Sequence, residues 1–574
     1  MRKRDYFVVM AFALSLILLF LQQFYPENTP GIIIHTIDII ILIAVLAETF
    51  FAVKQEKYIR KYFQNNLPNF LAIVIFASVF ITFKIQIGFK NISEELSIVF
   101  DIFKNIFLFG KIIRLISKRA GLTAKIISNP ARTLIISFFM VIIIGSFLLM
   151  LPAASAKDSP LNFLTALFTS ASAVCVTGLS VIDVSSELTI AGKFILIVLI
   201  QVGGLGIMVF SFFGMLAFRK KMTVSEKLTI SYMVSEDDMS NLFKTLRVIV
   251  LSTFFIEALS AVFLFIGFSR ILGFNLKTLG FALFHAISAF CNAGFALFSN
   301  NLESFTSDII ISLTIGFTII LGGISFAVIY DVLAKVRTDI KNTFLKKKKT
   351  DYLISVNTKM ILSLTVFILF ISFALFYLLE HRNTMKEMSL GTQYLASLFQ
   401  AITLRTAGFS TVSFLNLTNA TLLFMIFIMF MGGAAGSTAG GIKLNTIAVV
   451  FAFFKSFLKN QKTVVIKNVS VPEEQVKKAF LIFGFGLAAI SVGIFLLTIT
   501  ESLPFLALLF ETVSAFATVG LSTGITSALS PAGKIVIIIL MFIGRVGPLT
   551  FLTAAGKKQK NDDIEYPYGN IAIG

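Results

Sequence analysis

"ALFTSASAVCVTGLSV", residues 166–181, carries the pattern that decides the fold: Leu-Phe, a helix-length run of small residues, then a polar turn closing on Gly178. The same unit returns as "ALFHAISAFCNAGFAL" (282–297), "SLFQAITLRTAGFSTV" (397–412) and "LLFETVSAFATVGLST" (508–523), closing on Gly294, Gly408 and Gly520 at nearly equal intervals. Four similar connectors produced by low-complexity composition would not share this register. The chain over residues 127–555 therefore reads as four internal repeats of span, short helix, loop and span. A helix of about a dozen residues reaches only about halfway through a ~30 Å hydrocarbon core, so each unit enters the membrane and returns.

The surrounding sequence agrees with that reading. Of 574 residues, 57% are hydrophobic and 14% charged, and the mean hydropathy is +0.91, which marks an all-α polytopic membrane protein. Apolar runs lie near 7–24, 32–53, 69–89, 96–116, 132–153, 188–217, 246–269, 308–334, 357–379, 420–454 (interrupted), 478–499 and 534–555. No small-residue cleavage site follows the first run, which reads as a membrane helix and not as a signal peptide. Lysine and arginine gather at 54–61, 111–125, 219–227, 335–349, 455–478 and 557–560, always after an even number of spans. Both termini are therefore expected in the cytoplasm. The same rule explains the net charge of +19 without nucleic acid as a partner. Cys175 and Cys291 are the two cysteines, with no metal-site spacing between them.

Non-helical backbone inside a membrane is tolerated only where protein surrounds it or water reaches it. Four such returns around an axis present carbonyl oxygens to one another, a ring that can replace the water around a monovalent cation. The C-terminal ends of the short helices add partial negative charge there. The expected ion-binding residues are Val176, Thr177 and Gly178, Asn292, Ala293 and Gly294, Thr406, Ala407 and Gly408, and Thr518, Val519 and Gly520.

A second glycine-rich segment, "MFMGGAAGSTAGGIKLN" (429–445), invites comparison with a phosphate loop. That motif needs lysine and a hydroxyl directly after its second glycine. Counting from Gly436, the second glycine is Gly441, but Ile442 follows, Lys443 is one place late and Leu444 carries no hydroxyl. The segment instead breaks an apolar span. Gly432, Gly433, Gly436, Ser437, Thr438, Gly440 and Gly441 are small enough for the break to lie across a pathway and fold aside. Lys443 is expected at the inner water boundary.

Charged residues inside the core need partners. Arg405, in the third loop, should turn from the axis, with Glu511 as the nearest carboxylate in the repeat scheme. His285 takes the place held by Thr169, Gln400 and Glu511, where a helix-packing hydrogen bond is favoured over proton transfer. Arg545 stands mid-span in the last helix, where a structural ion pair is the plain alternative to a role in the pathway.

The fourfold pattern, the loops "VTGL", "NAGF", "TAGF" and "TVGL", the arginine of "LRTAGF", the segment "GRVGPLT" and the tail "EYPYGNIAIG" together resemble the Ktr/Trk/HKT superfamily of potassium transporters, closest to the bacterial Ktr-type membrane subunit. The resemblance runs from about residue 127 to the end. It implies four M1–P–M2 repeats around one pore in the bacterial plasma membrane, and no enzymatic activity or cofactor. Gly178 in the first loop implies potassium as substrate, with sodium as permeant or activator. An intramembrane gating loop falls at 432–441, and Arg545 faces the pore below the filter. A homodimer on a cytosolic ring of nucleotide-binding regulatory subunits is implied as well, docked on the basic inner loops.

The repeats divide the chain at 127–227, 228–350, 351–465 and 466–574, after an additional amino-terminal bundle of four spans at 1–126. That bundle faintly resembles a voltage sensor through Lys104, Lys111, Arg114 and Lys118, although inner-loop anchoring explains these charges equally well. The rival reading is a secondary active cation symporter with sodium as transported or coupling ion, which more often shows two inverted halves. An ATP-driven pump would need an energising domain, and the longest core inner loop, near 335–356, is too short for one.

Overall fold

The computed structural model describes residues 130–156, 160–206, 242–344 and 352–555, with isolated helical positions between 7 and 48. The expected voltage-sensing series Lys104, Lys111, Arg114 and Lys118 and the tail after 555 lie outside the described residues. Among the described residues the regular structure is helical apart from short 3-10 turns, two isolated bridges and one small hairpin, in which Val465–Ile466 pairs antiparallel with Val469–Ser470.

Each repeat opens with a long apolar helix: α1 (Pro130–Leu149), α4 (Leu242–Leu272), α8 (Val356–Glu380) and α12 (Glu473–Thr500). All four contain a stretch long and apolar enough to cross a membrane. Apolar side chains surround these helices, so one face packs inward while residues such as Phe139, Phe255, Phe370 and Phe495 point outward. That arrangement suits a lipid solvent and not water. The short helices α2 (Phe163–Val174), α5 (Leu276–Phe290), α9 (Leu390–Thr403) and α13 (Phe505–Phe516) pack against the long helix of their own repeat. Side-chain caps fix three of their starts: Asn162 accepts from the Thr165 amide, Asn275 from Thr278 and Ser389 from Thr392. Pro504 precedes the fourth.

The second spans depart from expectation. Sequence predicts a break only in the third, yet the second and fourth also turn sharply at matching points, and the helix of the first ends there. Helix α3 (Ile190–Leu205) stops at Gly206, whose φ is +79°. Helix α6 (Ile309–Gly323) turns by 104° into α7 (Phe326–Phe344). Helix α10 (Asn419–Phe430) opens into the glycine loop before α11 (Leu444–Leu458). Helix α14 (Pro531–Val546) turns by 89° at Gly547 into α15 (Pro548–Ala555). Just before three of these points the helices are closely packed. A Cβ on Gly203, Gly322 or Gly544 would strike the carbonyl oxygen of Val174, Phe290 or Phe516, the last residue of the short helix in the same repeat. Glycine is therefore required at the crossing, and it weakens a helix by about 1 kcal/mol relative to alanine.

Candidate ion pathway

The four short helices deliver four loops with one backbone conformation. Val176, Asn292, Thr406 and Thr518 have φ between +53° and +66°, and two residues later Gly178, Gly294, Gly408 and Gly520 have φ between +69° and +94°. For the non-glycine residues, three of them β-branched, this left-handed conformation costs of order 1–3 kcal/mol each. Hydrogen bonds to the short helices hold it. The Thr177 amide donates to the Ser172 carbonyl at 2.8 Å, and the Gly178 amide donates to Ser172 Oγ at 3.0 Å. Ser514 does the same for Val519 and Gly520, at 2.8 and 3.1 Å. In the second repeat Ser288 accepts from the Ala293 amide and its Oγ donates to the Phe295 carbonyl; in the third, Thr403 serves Ala407 and Phe409 in the same way.

The loops meet in a closed cycle. A Cβ placed on Gly178 would lie 2.5 Å from the Ala293 carbonyl oxygen; on Gly294, 2.8 Å from that of Ala407; on Gly408, 2.7 Å from that of Val519. Gly520 closes the ring against the Thr177 carbonyl oxygen. No side chain larger than hydrogen fits at any of the four contacts without backbone movement. Three buried hydroxyls in the loops, on Thr177, Thr406 and Thr518, have no hydrogen-bond partner. Asn292 is turned differently: with its amide nitrogen toward acceptors, it donates to the carbonyls of Ala289 at 3.0 Å and Ile319 at 3.2 Å. The twelve residues expected at the ion path belong to these four loops, and eight of them make the ring contacts; the Asn292 side chain is directed at α6.

On one side the ring opens into a cavity of 390 Å³ lined by Gly178, Gly408 and Gly520, by hydroxyl and amide residues with Glu303, and by the apolar Leu179, Phe414, Leu415 and Leu521. The outer loops of the first two repeats are tied together by Asp183. Its carboxylate accepts from Ser185, from Ser186 and, at 2.7 Å, from Ser299 Oγ of the next repeat. Burial pushes this carboxyl up, but the bonds from Ser185, Ser299 and Ser186 outweigh it and hold the group down at about 2.

On the other side lies the glycine loop. A Cβ on Gly441 would meet the Ala517 Cα at 3.0 Å, and one on Gly440 would collide with Thr518. The loop is held at its base by the Gly432 amide on the Ile442 carbonyl, 2.9 Å, and the Leu444 amide on Gly433, 2.9 Å. Toward the second repeat, Ala434 donates to Gly323 at 3.1 Å and Thr438 to Gly322 at 3.2 Å, while Thr438 Oγ1 reaches the Gly322 and Phe290 carbonyls. Arg545 donates to the Thr438 carbonyl, to Gly203, and to Gly204 at 3.0 Å. One guanidinium thus binds the loop of the third repeat to the break in the first. Arg545 also stands where the other three repeats carry the second glycine of a pair, Gly204, Gly323 and Gly433. Lys443 folds back so that its Nζ donates to the Ala439 carbonyl, which ties it into the loop in place of the expected water anchor.

The pairing expected between Arg405 and Glu511 is absent. Glu511 accepts from Thr526, while Nε and Nη2 of the buried Arg405 have no partner. Register along a repeat gives a position but not the direction of its side chain, and here Glu511 turns to Thr526. His285 stacks on Phe298 at 5.1 Å, with Nδ1 on the Phe281 carbonyl and Nε2 accepting from the Leu297 amide. It is a packing histidine that supports the loop beyond Gly294. Sequence reading passed over the struts Ser172, Ser288 and Ser514, although each stands six residues before its glycine and the aligned repeats contain that signal. It also passed over Glu257, which accepts from Gln201 at 3.0 Å between α4 and α3.

Comparison with known proteins places this geometry. The family model described as TrkH, cation transport protein, matches residues 96–566. The chain is 39% identical over 448 residues to the Ktr system potassium uptake protein B of Bacillus subtilis, covering 78% of this chain and 97% of that protein. It is 32% identical to the potassium/sodium uptake protein NtpJ of Enterococcus hirae, with 78% and 97% covered. The crystal structure of the potassium transporter TrkH from Vibrio parahaemolyticus superposes with a TM-score of 0.60 at 17% identity, covering 97% of this chain and 99% of that one. At that identity the superposition speaks for the polytopic helical fold.

Proposed function

The chain belongs to the TrkH family of cation transport proteins, and from that premise we propose that it carries potassium into the cell through the ring of four loops. The observation that supports this most directly is the cyclic contact of Gly178, Gly294, Gly408 and Gly520, each facing a carbonyl oxygen of the next loop. It leaves an axis lined by backbone oxygen, with the unpartnered hydroxyls of Thr177, Thr406 and Thr518 nearby, a donor set suited to a dehydrated monovalent cation. The names of the Bacillus and Vibrio alginolyticus relatives, potassium uptake proteins of Ktr systems, favour potassium.

In this reading residues 432–441 are the gate. The loop lies under the filter in the closed state, latched by Arg545, and moves aside to open. The chain acts in the plasma membrane with both termini inside, as a homodimer, and a cytosolic ring of nucleotide-binding regulatory subunits controls the latch. Sodium as a second permeant ion is favoured by one observation, the potassium/sodium name of the Enterococcus relative. The test is rubidium and potassium uptake by a potassium-transport-deficient bacterium expressing this chain with a cognate regulatory subunit. Uptake restored over a sodium background supports the reading, and failure to restore it overturns the reading.

A further inference from the structure

Helix α7 leaves α6 at 104°; with α6 along the membrane normal, α7 lies nearly parallel to the membrane plane. Its polarity is inverted relative to a helix covered by water. The side turned to the protein carries Val328, packed beside Ile361 and Ala434, and Asp331, which accepts from Tyr352, Ser355 and Thr358 at the start of α8. The outward side is the apolar one, with Leu333 54%, Val336 47% and Ile340 52% exposed at helical spacing. Arg337 is exposed beside this stripe, Lys335 pairs with Asp339 at 3.0 Å, and the sequence continues in Lys346 to Lys349. An exposed apolar face with flanking cations matches the boundary between headgroups and acyl chains in a leaflet of anionic lipid.

The helix is also attached to the glycine loop. The Phe326 amide donates to the Gly436 carbonyl at 3.1 Å, and the neighbouring Gly322 and Gly323 carbonyls accept from Thr438 and Ala434. We infer that α7 is a membrane-surface lever: Leu333, Val336 and Ile340 insert into the inner leaflet, Arg337 engages anionic headgroups, and the lipid so bound biases the position of loop 432–441. The membrane contact stands alone, whereas the bias rests on the reading of that loop as the gate.

The chain has no tryptophan, so Leu333→Trp gives a single emitter. In the full-length protein reconstituted into phosphatidylcholine and phosphatidylglycerol, brominated acyl chains should quench this emission by about twofold or more. Lys335→Trp, on the other side of the helix, should be quenched far less, and Ile340→Trp repeats the reading should Leu333→Trp not fold. Emission quenched by aqueous acrylamide but not by brominated lipid overturns the contact, as does lipid-independent shielding that arises only when a cytosolic protein is added. For the bias, wild-type rubidium flux should change when phosphatidylglycerol is replaced by phosphatidylcholine, and Arg337→Glu should shrink that change. Flux indifferent to anionic lipid overturns the coupling while leaving the quenching result to decide the contact.

Discussion

The Arg545 guanidinium donates to the Gly204 carbonyl at 3.0 Å, joining α14 of the fourth repeat to the point where α3 of the first repeat ends. The same group holds the Thr438 carbonyl of the loop. Hydrogen bonds from a charged group contribute about 1.5–3 kcal/mol each, and ~1.4 kcal/mol shifts a two-state equilibrium tenfold. Arg545→Ala should therefore raise rubidium influx without the regulatory subunit by roughly tenfold, with Arg545→Lys intermediate. Influx equal to wild type would remove the latch from the mechanism.

Deleting Gly436 through Gly440 removes the part of the loop that touches Thr518 and binds Phe326. Constitutive potassium flux is the expected result, read in vesicles with a potassium-sensitive dye. A deletion variant that stays folded and remains closed would reduce the loop to packing.

Gly178 has φ +94° and no room for a Cβ beside Ala293. Gly178→Ser must push the first two loops apart and should lower discrimination of potassium against sodium, measured as the ratio of the two fluxes. Unchanged selectivity would contradict the filter assignment.

Ser514 supports the fourth loop through the Gly520 amide at 3.1 Å. Ser514→Ala forfeits about 1 kcal/mol, the worth of one neutral hydrogen bond. Thermal stability should fall slightly while selectivity falls more, because the lost bond shapes the loop and not the core. Ser172→Ala should behave alike, and a variant that lowers stability without touching selectivity would deny the strut its role.

Asp183 is held at about 2, below its ordinary 3.8. A depressed carboxyl contributes stability that is fully present above the unfolded value and lost as pH falls through the folded one. The tie between Asp183 and Ser299 should therefore persist at neutral and mildly acidic pH and weaken from about 4 to about 2. Melting of the detergent-solubilised protein as a function of pH should show this step, and Asp183→Asn should erase it.

The short helices and their loops were legible because four copies in register reveal what one copy hides. Eight of the twelve loop residues marked from sequence meet in one ring, where each glycine leaves room for the carbonyl of the next loop in the cycle. The helix ends in the other three second spans were not predicted, since "QVGGLG", "LGGIS" and "IGRVGP" stand inside runs that are apolar on average, and a hydropathy window does not register a hinge. The Gly203, Gly322 and Gly544 contacts beside them are tertiary. The expected Arg405–Glu511 pair failed for a related reason: repeat register aligns backbones, whereas the rotamer of Glu511 answers to Thr526. Serine struts fell between these cases, present at a fixed offset but chemically unremarkable until Gly178 and Gly520 were seen to donate to them.

Because the four loops belong to one chain, the ring of Gly178, Gly294, Gly408 and Gly520 is fourfold in shape but not in chemistry. The residue three before each glycine is Cys175, Cys291, Arg405 or Ala517. In an assembly of identical subunits any substitution strikes every quadrant at once. Here a single codon change alters one quarter of the circumference and leaves three intact, so the chemistry of the ring can be adjusted one quadrant at a time.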